Sequence, residues 1–163
     1  MKRVGILAAT TLLLVVFSAG VALALVELTS GPDTYNGNDL SNTVFGRGGN
    51  DLIRGNGGQD RLYGNGGDDD LYGGKGRDKL FGLGGDDLLV GGPGEDQLNG
   101  AAGNDVIVAG DDKVSDEVNC GRGEDVAYVS GPDHSSLSEQ GCETVKTFKS
   151  MDQVPNPGGP AGG

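Results

Sequence analysis

The chain has 163 residues, of which 33 are glycine, none is tryptophan and only 5% are aromatic, so a conventional core of large apolar side chains is excluded. Acidic residues outnumber basic ones 24 to 12, which repels nucleic-acid backbones and anionic membrane surfaces and points to a cationic partner. A disordered acidic chain has the same composition, and only spacing separates the two.

In chain order, Lys2 and Arg3 precede an apolar stretch from Val4 to Val16, and Ala22-Leu23-Ala24 sets small residues where a signal peptidase reads. The expectation is a signal peptide over 1–24, cleaved after Ala24, with export by the general secretory route and no stable membrane insertion afterwards. An uncleaved anchor is the alternative, because the apolar run to Val26 approaches the roughly 20 residues that span a bilayer. An oxidising exterior makes one disulfide the natural pairing of the two cysteines, Cys120 and Cys142, with two free thiols as the alternative.

From residue 46 the chain repeats without insertion as GRGGNDLIR, GNGGQDRLY, GNGGDDDLY, GGKGRDKLF, GLGGDDLLV, GGPGEDQLN and GAAGNDVIV. Aspartate recurs every nine residues at Asp51, Asp60, Asp69, Asp78, Asp87, Asp96 and Asp105. Glycine opens each unit, from Gly46 to Gly100, and a second glycine lies two residues before each aspartate, at Gly49, Gly58, Gly67, Gly76, Gly85, Gly94 and Gly103. Two places after each aspartate stands Ile53, Leu62, Leu71, Leu80, Leu89, Leu98 or Ile107. Residues 25–45 keep part of this register, with Asn42 in an aspartate place and Asp33 and Tyr35 in step, and are read as an N-terminal cap with degenerate repeats.

Each unit divides into six residues that turn and three that extend, because glycine permits backbone angles closed to other residues. The extended three alternate out, in, out, with the aliphatic residue alone inward. Two units make one 18-residue revolution, and successive revolutions pair as parallel strands in two facing sheets. The spacing therefore predicts an all-β solenoid over 46–108.

This pattern resembles the RTX, or haemolysin-type, calcium-binding repeat, GGxGxDxUx. The resemblance implies a right-handed parallel β-roll with a C-terminal cap, and calcium ions held between turns one revolution apart. Calcium takes six to eight oxygens from carboxylates and carbonyls in a loose geometry; the seven aspartates from Asp51 to Asp105 supply charge, and the turns containing Gly49, Gly58, Gly67, Gly76, Gly85, Gly94 and Gly103 expose carbonyls. One edge stacks Asp51, Asp69, Asp87 and Asp105, and the other Asp60, Asp78 and Asp96, which gives about five ions and a weaker sixth between Asn42 and Asp60. The family's second glycine is replaced by Arg47, Asn56, Asn65, Leu83 or Ala101 in five units.

After Val108 the register breaks, since Asp116 stands two places later than the repeat from Asp105 requires. Residues 109–149 are read as a degenerate coil and cap, closed, by the resemblance, through a Cys120–Cys142 bridge. His134 has no nucleophile elbow or metal-ligand pair around it, so no catalytic residue is assigned. Residues 150–163, rich in proline and glycine, read as a flexible tail. Phe45, Tyr63 and Phe81 fall on one outer face and Arg54, Tyr72, Val90 and Val108 on the other.

The functional expectation is a secreted calcium-binding β-roll that folds on calcium and has a structural, adhesive or interaction role. Its partners would be calcium ions and a cell-surface or extracellular molecule, not nucleic acid. The alternative is a non-catalytic accessory or remnant of a secreted RTX enzyme or toxin. An enzyme is disfavoured because repeats and caps fill nearly all of the mature chain.

Overall fold

The computed structural model describes residues 24–110, 114–130 and 141–147. The expected signal segment up to Leu23, His134 and the tail from residue 150 lie outside the described residues. The described chain contains strands and turns and no helix.

One sheet holds six parallel strands in the order β1 (Ala24–Glu27), β3 (Asn42–Phe45), β5 (Arg61–Tyr63), β7 (Lys79–Gly84), β9 (Gln97–Ala102) and β11 (Glu117–Arg122). The other holds seven, β2 (Thr34–Asn36), β4 (Leu52–Gly57), β6 (Asp70–Lys75), β8 (Leu88–Val90), β10 (Val106–Val108), β12 (Val126–Val129) and β13 (Thr144–Thr147). From β1 to β12 the chain alternates between the sheets, so it winds as a parallel β-solenoid with the revolution expected from the repeats. Leu62 pairs with Leu80 and Leu80 with Leu98, while Ile53 pairs with Leu71 and Leu71 with Leu89.

The core is a double row of single side chains. Val26, Val44, Leu62, Leu80, Leu98 and Val118 from one sheet meet Ile53, Leu71, Leu89, Ile107 and Ala127 from the other, all at most 1% exposed. Each large aliphatic withdrawn from water contributes about 2 kcal/mol. A revolution holds only two such residues, so the core is thin and each rung depends on its neighbours.

The solenoid extends beyond the regular repeats at both ends. Val26 pairs with Val44 and Tyr35 with Ile53, so residues 24–36 add a full revolution in register. At the other end the revolution lengthens by two positions, and Leu98 pairs with Val118 and Ile107 with Ala127. The two additional residues fall between Ala109 and Asp116, and the strands on either side keep their inward and outward faces.

The interior differs from the sequence expectation in one respect. The aliphatic residue is not alone inside, because alternation by two continues on both sides of it: Asp51, Ile53 and Gly55 are all buried, as are Asp60, Leu62 and Gly64. Extended backbone carries the period past the three-residue core of the strand, and in β4, β6, β7 and β9 the strand runs on through the opening glycine.

On the outer face of the first sheet Phe45, Tyr63 and Phe81 stack with ring centroids 4.7 and 5.0 Å apart. On the second, the Arg54 guanidinium lies 5.2 Å from the centre of the Tyr72 ring. Outward Leu88 and Val108 are buried in a small separate cluster with Tyr72, Val90, Val106 and Tyr128.

Among the described residues the turns put five non-glycine residues, Arg47, Asn56, Asn65, Leu83 and Ala101, at positive φ. Asparagine tolerates this region, whereas leucine is strained there. Leu83, at φ 83° and 38% exposed, gains little burial in return. Leu83→Gly is expected to stabilise the folded chain by about 1 kcal/mol, read as a higher thermal midpoint at fixed calcium; an unchanged or lower midpoint would contradict the strain argument.

Candidate calcium-binding edges

The aspartate that closes each turn is buried, from 0% exposed at Asp78 and Asp105 to 3% at Asp51. Its side chain spans the gap to the preceding revolution. Oδ1 of Asp51, Asp69, Asp87, Asp105 and Asp125 accepts the backbone N–H of Asp33, Asp51, Asp69, Asp87 and Asp105 respectively, at 2.7–2.9 Å. On the opposite edge the N–H groups of Asn42, Asp60, Asp78 and Asp96 donate in the same way to Asp60, Asp78, Asp96 and Asp116, at 2.7–2.9 Å. The two edge stacks expected from the sequence are therefore present. They continue to Asp33 at one end and to Asp116 and Asp125 at the other.

In seven of these aspartates the second carboxylate oxygen has no such donor, whereas Asp116 Oδ2 accepts the Gly110 N–H at 3.0 Å. Oδ2 of Asp51, Asp60, Asp69, Asp78, Asp87, Asp105 and Asp125 is buried without a hydrogen-bond partner. In the regular units it lies against the opening glycine of its own turn, where a Cβ on Gly46 would sit 2.3 Å from Asp51 Oδ2 and 2.5 Å from the Gly64 carbonyl oxygen of the next revolution. The same pair of contacts recurs at Gly55, with Asp60 Oδ2 at 2.2 Å and the Gly73 carbonyl at 2.6 Å, and at Gly82, with Asp87 Oδ2 at 2.2 Å and the Gly100 carbonyl at 2.9 Å. A carboxylate and a carbonyl thus converge where no donor reaches. A lone buried carboxylate oxygen is costly, and a hard cation with oxygen ligands matches this donor set.

The second glycine of each unit brings in further carbonyls. Gly76 and Gly94 have φ of 131° and 147°, and a Cβ on them would lie 1.6 and 1.5 Å from the carbonyl oxygens of Gly58 and Gly76. Successive turns therefore stack too closely for any side chain. Gly49, Gly58, Gly67, Gly85 and Gly103 share the positive φ.

Among the described residues no three His, Cys, Asp or Glu side chains gather as a metal-binding group. The donor set is instead one carboxylate per turn with backbone carbonyls between, an arrangement in which most calcium ligands come from the main chain.

Burial raises these carboxyls. Desolvation is the largest cause throughout and is opposed by the backbone hydrogen bond; the charge of neighbouring aspartates adds to it at Asp51, Asp69, Asp78, Asp87 and Asp105, that of Glu143 at Asp125, while the Asn42 side chain further opposes it at Asp60. Desolvation lifts Asp51, Asp69, Asp78 and Asp105 to about 6 and Asp87 to about 7; Asp60 and Asp125 move the same way.

Residues just before the buried aspartates face solvent, as expected for turn positions. On one edge they form a second ladder, in which the N–H groups of Asp68, Asp86, Asn104 and Glu124 donate to the side chains of Asn50, Asp68, Asp86 and Asn104 at 2.7–3.0 Å.

The gap at Asn42 is different. Its amide nitrogen donates to the Leu40 carbonyl and, at 3.3 Å, to Asp60 Oδ1, while its oxygen accepts from the Tyr35 hydroxyl at 2.8 Å. A neutral donor thus enters the gap, and the nearest atoms to a Cβ on Gly37 are backbone atoms of Arg54 and Gly55, with no carboxylate oxygen. The sequence reading identified Asn42 as a weak position but not the amide network that fills it. It also did not place Asp116 and Asp125 in the stacks, although each has an apolar residue two places on, Val118 and Ala127.

The chain matches the family described as RTX calcium-binding nonapeptide repeat (4 copies) over residues 29–62, 36–71, 45–80, 63–98 and 81–113. No curated protein matches it, and no solved structure does.

Because the buried carboxyls titrate higher folded than unfolded, folding without metal takes up protons, and its stability is greatest below the ordinary value of 3.8 and is lost as pH rises through about 6 to 7. In chelator, circular dichroism should show more β structure at acidic pH than above neutrality. The opposite order would contradict the burial of these carboxyls.

Proposed function

The chain belongs to the family of RTX calcium-binding nonapeptide repeats, and on that premise we propose that it is a secreted, non-catalytic β-roll whose fold is completed by calcium. The observation that carries this reading is the row of buried aspartate oxygens without hydrogen-bond donors; those of Asp51, Asp60, Asp78, Asp87 and Asp105 lie against the opening glycine of their own turn, where a carbonyl of the next revolution also converges. Asp51, Asp60, Asp69, Asp78, Asp87, Asp96 and Asp105 are proposed to supply the charge. The turns of Gly49, Gly58, Gly67, Gly76, Gly85, Gly94 and Gly103 would present carbonyl oxygens to the same ions.

What the ion does follows from the thin core. Without metal, adjacent carboxylates along an edge repel one another at strand spacing, and two aliphatics per revolution do little to offset the entropy lost in ordering a whole coil. Calcium neutralises the column and cross-links successive turns, so binding and folding become one event. Affinity is expected on the order of 10⁻⁴ to 10⁻³ M per site, the range of extracellular calcium modules. Repeats of this kind are typical of secreted bacterial proteins, which agrees with the signal peptide proposed for residues 1–24.

A structural or interaction role follows from what the fold offers. The described residues form two sheets with outer faces, joined along two edges of stacked aspartate turns, and the stacked Phe45, Tyr63 and Phe81 stiffen one face. The family's repeat is a calcium-binding structural unit rather than a catalytic one.

Calcium titration of the chelated chain at neutral pH should convert a disordered circular dichroism spectrum to β structure in the millimolar range; identical spectra with chelator and with calcium would refute folding on calcium. Asn42→Asp should replace the amide network with a further carboxylate and add about one bound ion, counted by equilibrium dialysis. An unchanged count would show that the amide does not exclude the ion from that gap.

A further inference from the structure

Beyond residue 113, where the family match ends, the chain departs from the nonapeptide. The revolution is two residues longer, and Cys120 stands opposite Gly100, between the paired positions Asn119↔Asn99 and Gly121↔Ala101. The gap between the Gly100–Asp105 turn and the Cys120–Asp125 turn nonetheless reproduces the regular gaps. A Cβ on Gly100 would lie 2.2 Å from Asp105 Oδ2 and 2.6 Å from the Cys120 carbonyl oxygen, against 2.3 and 2.5 Å for the corresponding atoms at Gly46. The Asp105 N–H donates to Asp125 Oδ1 at 2.8 Å. Asp105 and Asp125 are both fully buried, and each keeps an Oδ2 with no donor.

The difference lies on the far side of this turn. Every regular unit opens with a glycine because the aspartate Oδ2 occupies the Cβ position; Cys120 has a Cβ there, and it is the root of the disulfide to Cys142. The residue after Cys142 holds the other end of the same turn, since Glu143 Oε2 accepts the Asp125 N–H at 2.9 Å. The Cys142–Glu143 pair thus grips the Cys120–Asp125 turn at its opening and closing residues, where a regular turn would be held by ions on both sides.

We propose that a further calcium site lies between the Gly100–Asp105 and Cys120–Asp125 turns, with the Asp105 and Asp125 carboxylates and the Cys120 carbonyl as donors, and that the Cys120–Cys142 disulfide holds it in shape. The site rests on the calcium reading of the regular gaps. It reaches beyond the matched repeats to the Cys120–Asp125 turn and ties the last ion of the column to the redox state of the chain. The disulfide ends the column, because the cysteine Cβ leaves the next gap without the glycine cradle.

The test counts bound calcium by equilibrium dialysis of the full chain in millimolar calcium, for the oxidised protein, for Asp125→Asn, which keeps the bridge, and for the Cys120→Ser, Cys142→Ser double variant. Both variants should bind about one ion fewer than the oxidised protein and retain its β circular dichroism. If Asp125→Asn binds the full complement, no ion sits in this gap. If the double variant keeps the full count and only its calcium midpoint moves, the bridge is a general brace and the proposed coupling is wrong. A parent chain that binds no calcium would instead sink the reading of the regular gaps, and this site with it.

Discussion

One side chain organises this molecule: the aspartate that closes each turn and projects into the solenoid. Its Oδ1 caps the backbone N–H of the aspartate one revolution earlier, so each coil is tied to the last through a carboxylate as well as through strand pairing. In most of these turns its Oδ2 lies without a donor, and in the regular ones it does so against the opening glycine. The first bond settles register along the edge, and the second leaves an electrostatic debt that a proton or a divalent cation can discharge. Glycine at the opening of the unit is the steric counterpart of this aspartate, because a Cβ there would occupy the place of Oδ2.

The two ends meet this constraint by different means. On one edge, Asn42 and the Tyr35 hydroxyl supply a neutral hydrogen-bond network in place of a carboxylate facing carbonyls, so the stack begins on groups that need no ion. At the far end, Cys120 substitutes a covalent bond for the glycine cradle. A repeat stack needs ends unlike its middle. Here the dissimilarity is chemical, an amide at one end and a disulfide at the other.

The outer faces of the two sheets are packed differently. The first sheet presents an aromatic column whose rings cover one another, so what it offers to solvent is mainly ring edges. The second buries Leu88 and Val108 in a local cluster. Neither depends on the aspartate column, so the surface can vary while the edges keep their chemistry.

The sequence by itself determined the period, the parallel pairing of equivalent positions in successive revolutions, the inward row from Ile53 to Ile107 and the stacked Phe45, Tyr63 and Phe81. Each follows from local spacing: glycine at fixed offsets turns the chain at fixed intervals, and everything in register then stacks. The Cys120–Cys142 bridge was legible for a simpler reason, since the chain offers no other pairing. Three features were decided only in three dimensions. That the aspartates point inward depends on alternation continuing past the three-residue strand, and a turn's direction is set by the revolution it joins. That Asp116 and Asp125 belong to the stacks depends on two additional residues being absorbed between Ala109 and Asp116, and linear spacing reads this as a break. That Asn42 is satisfied depends on Tyr35 and on Asp60 of the next coil, and such hydrogen bonds exist only once successive coils lie one upon another.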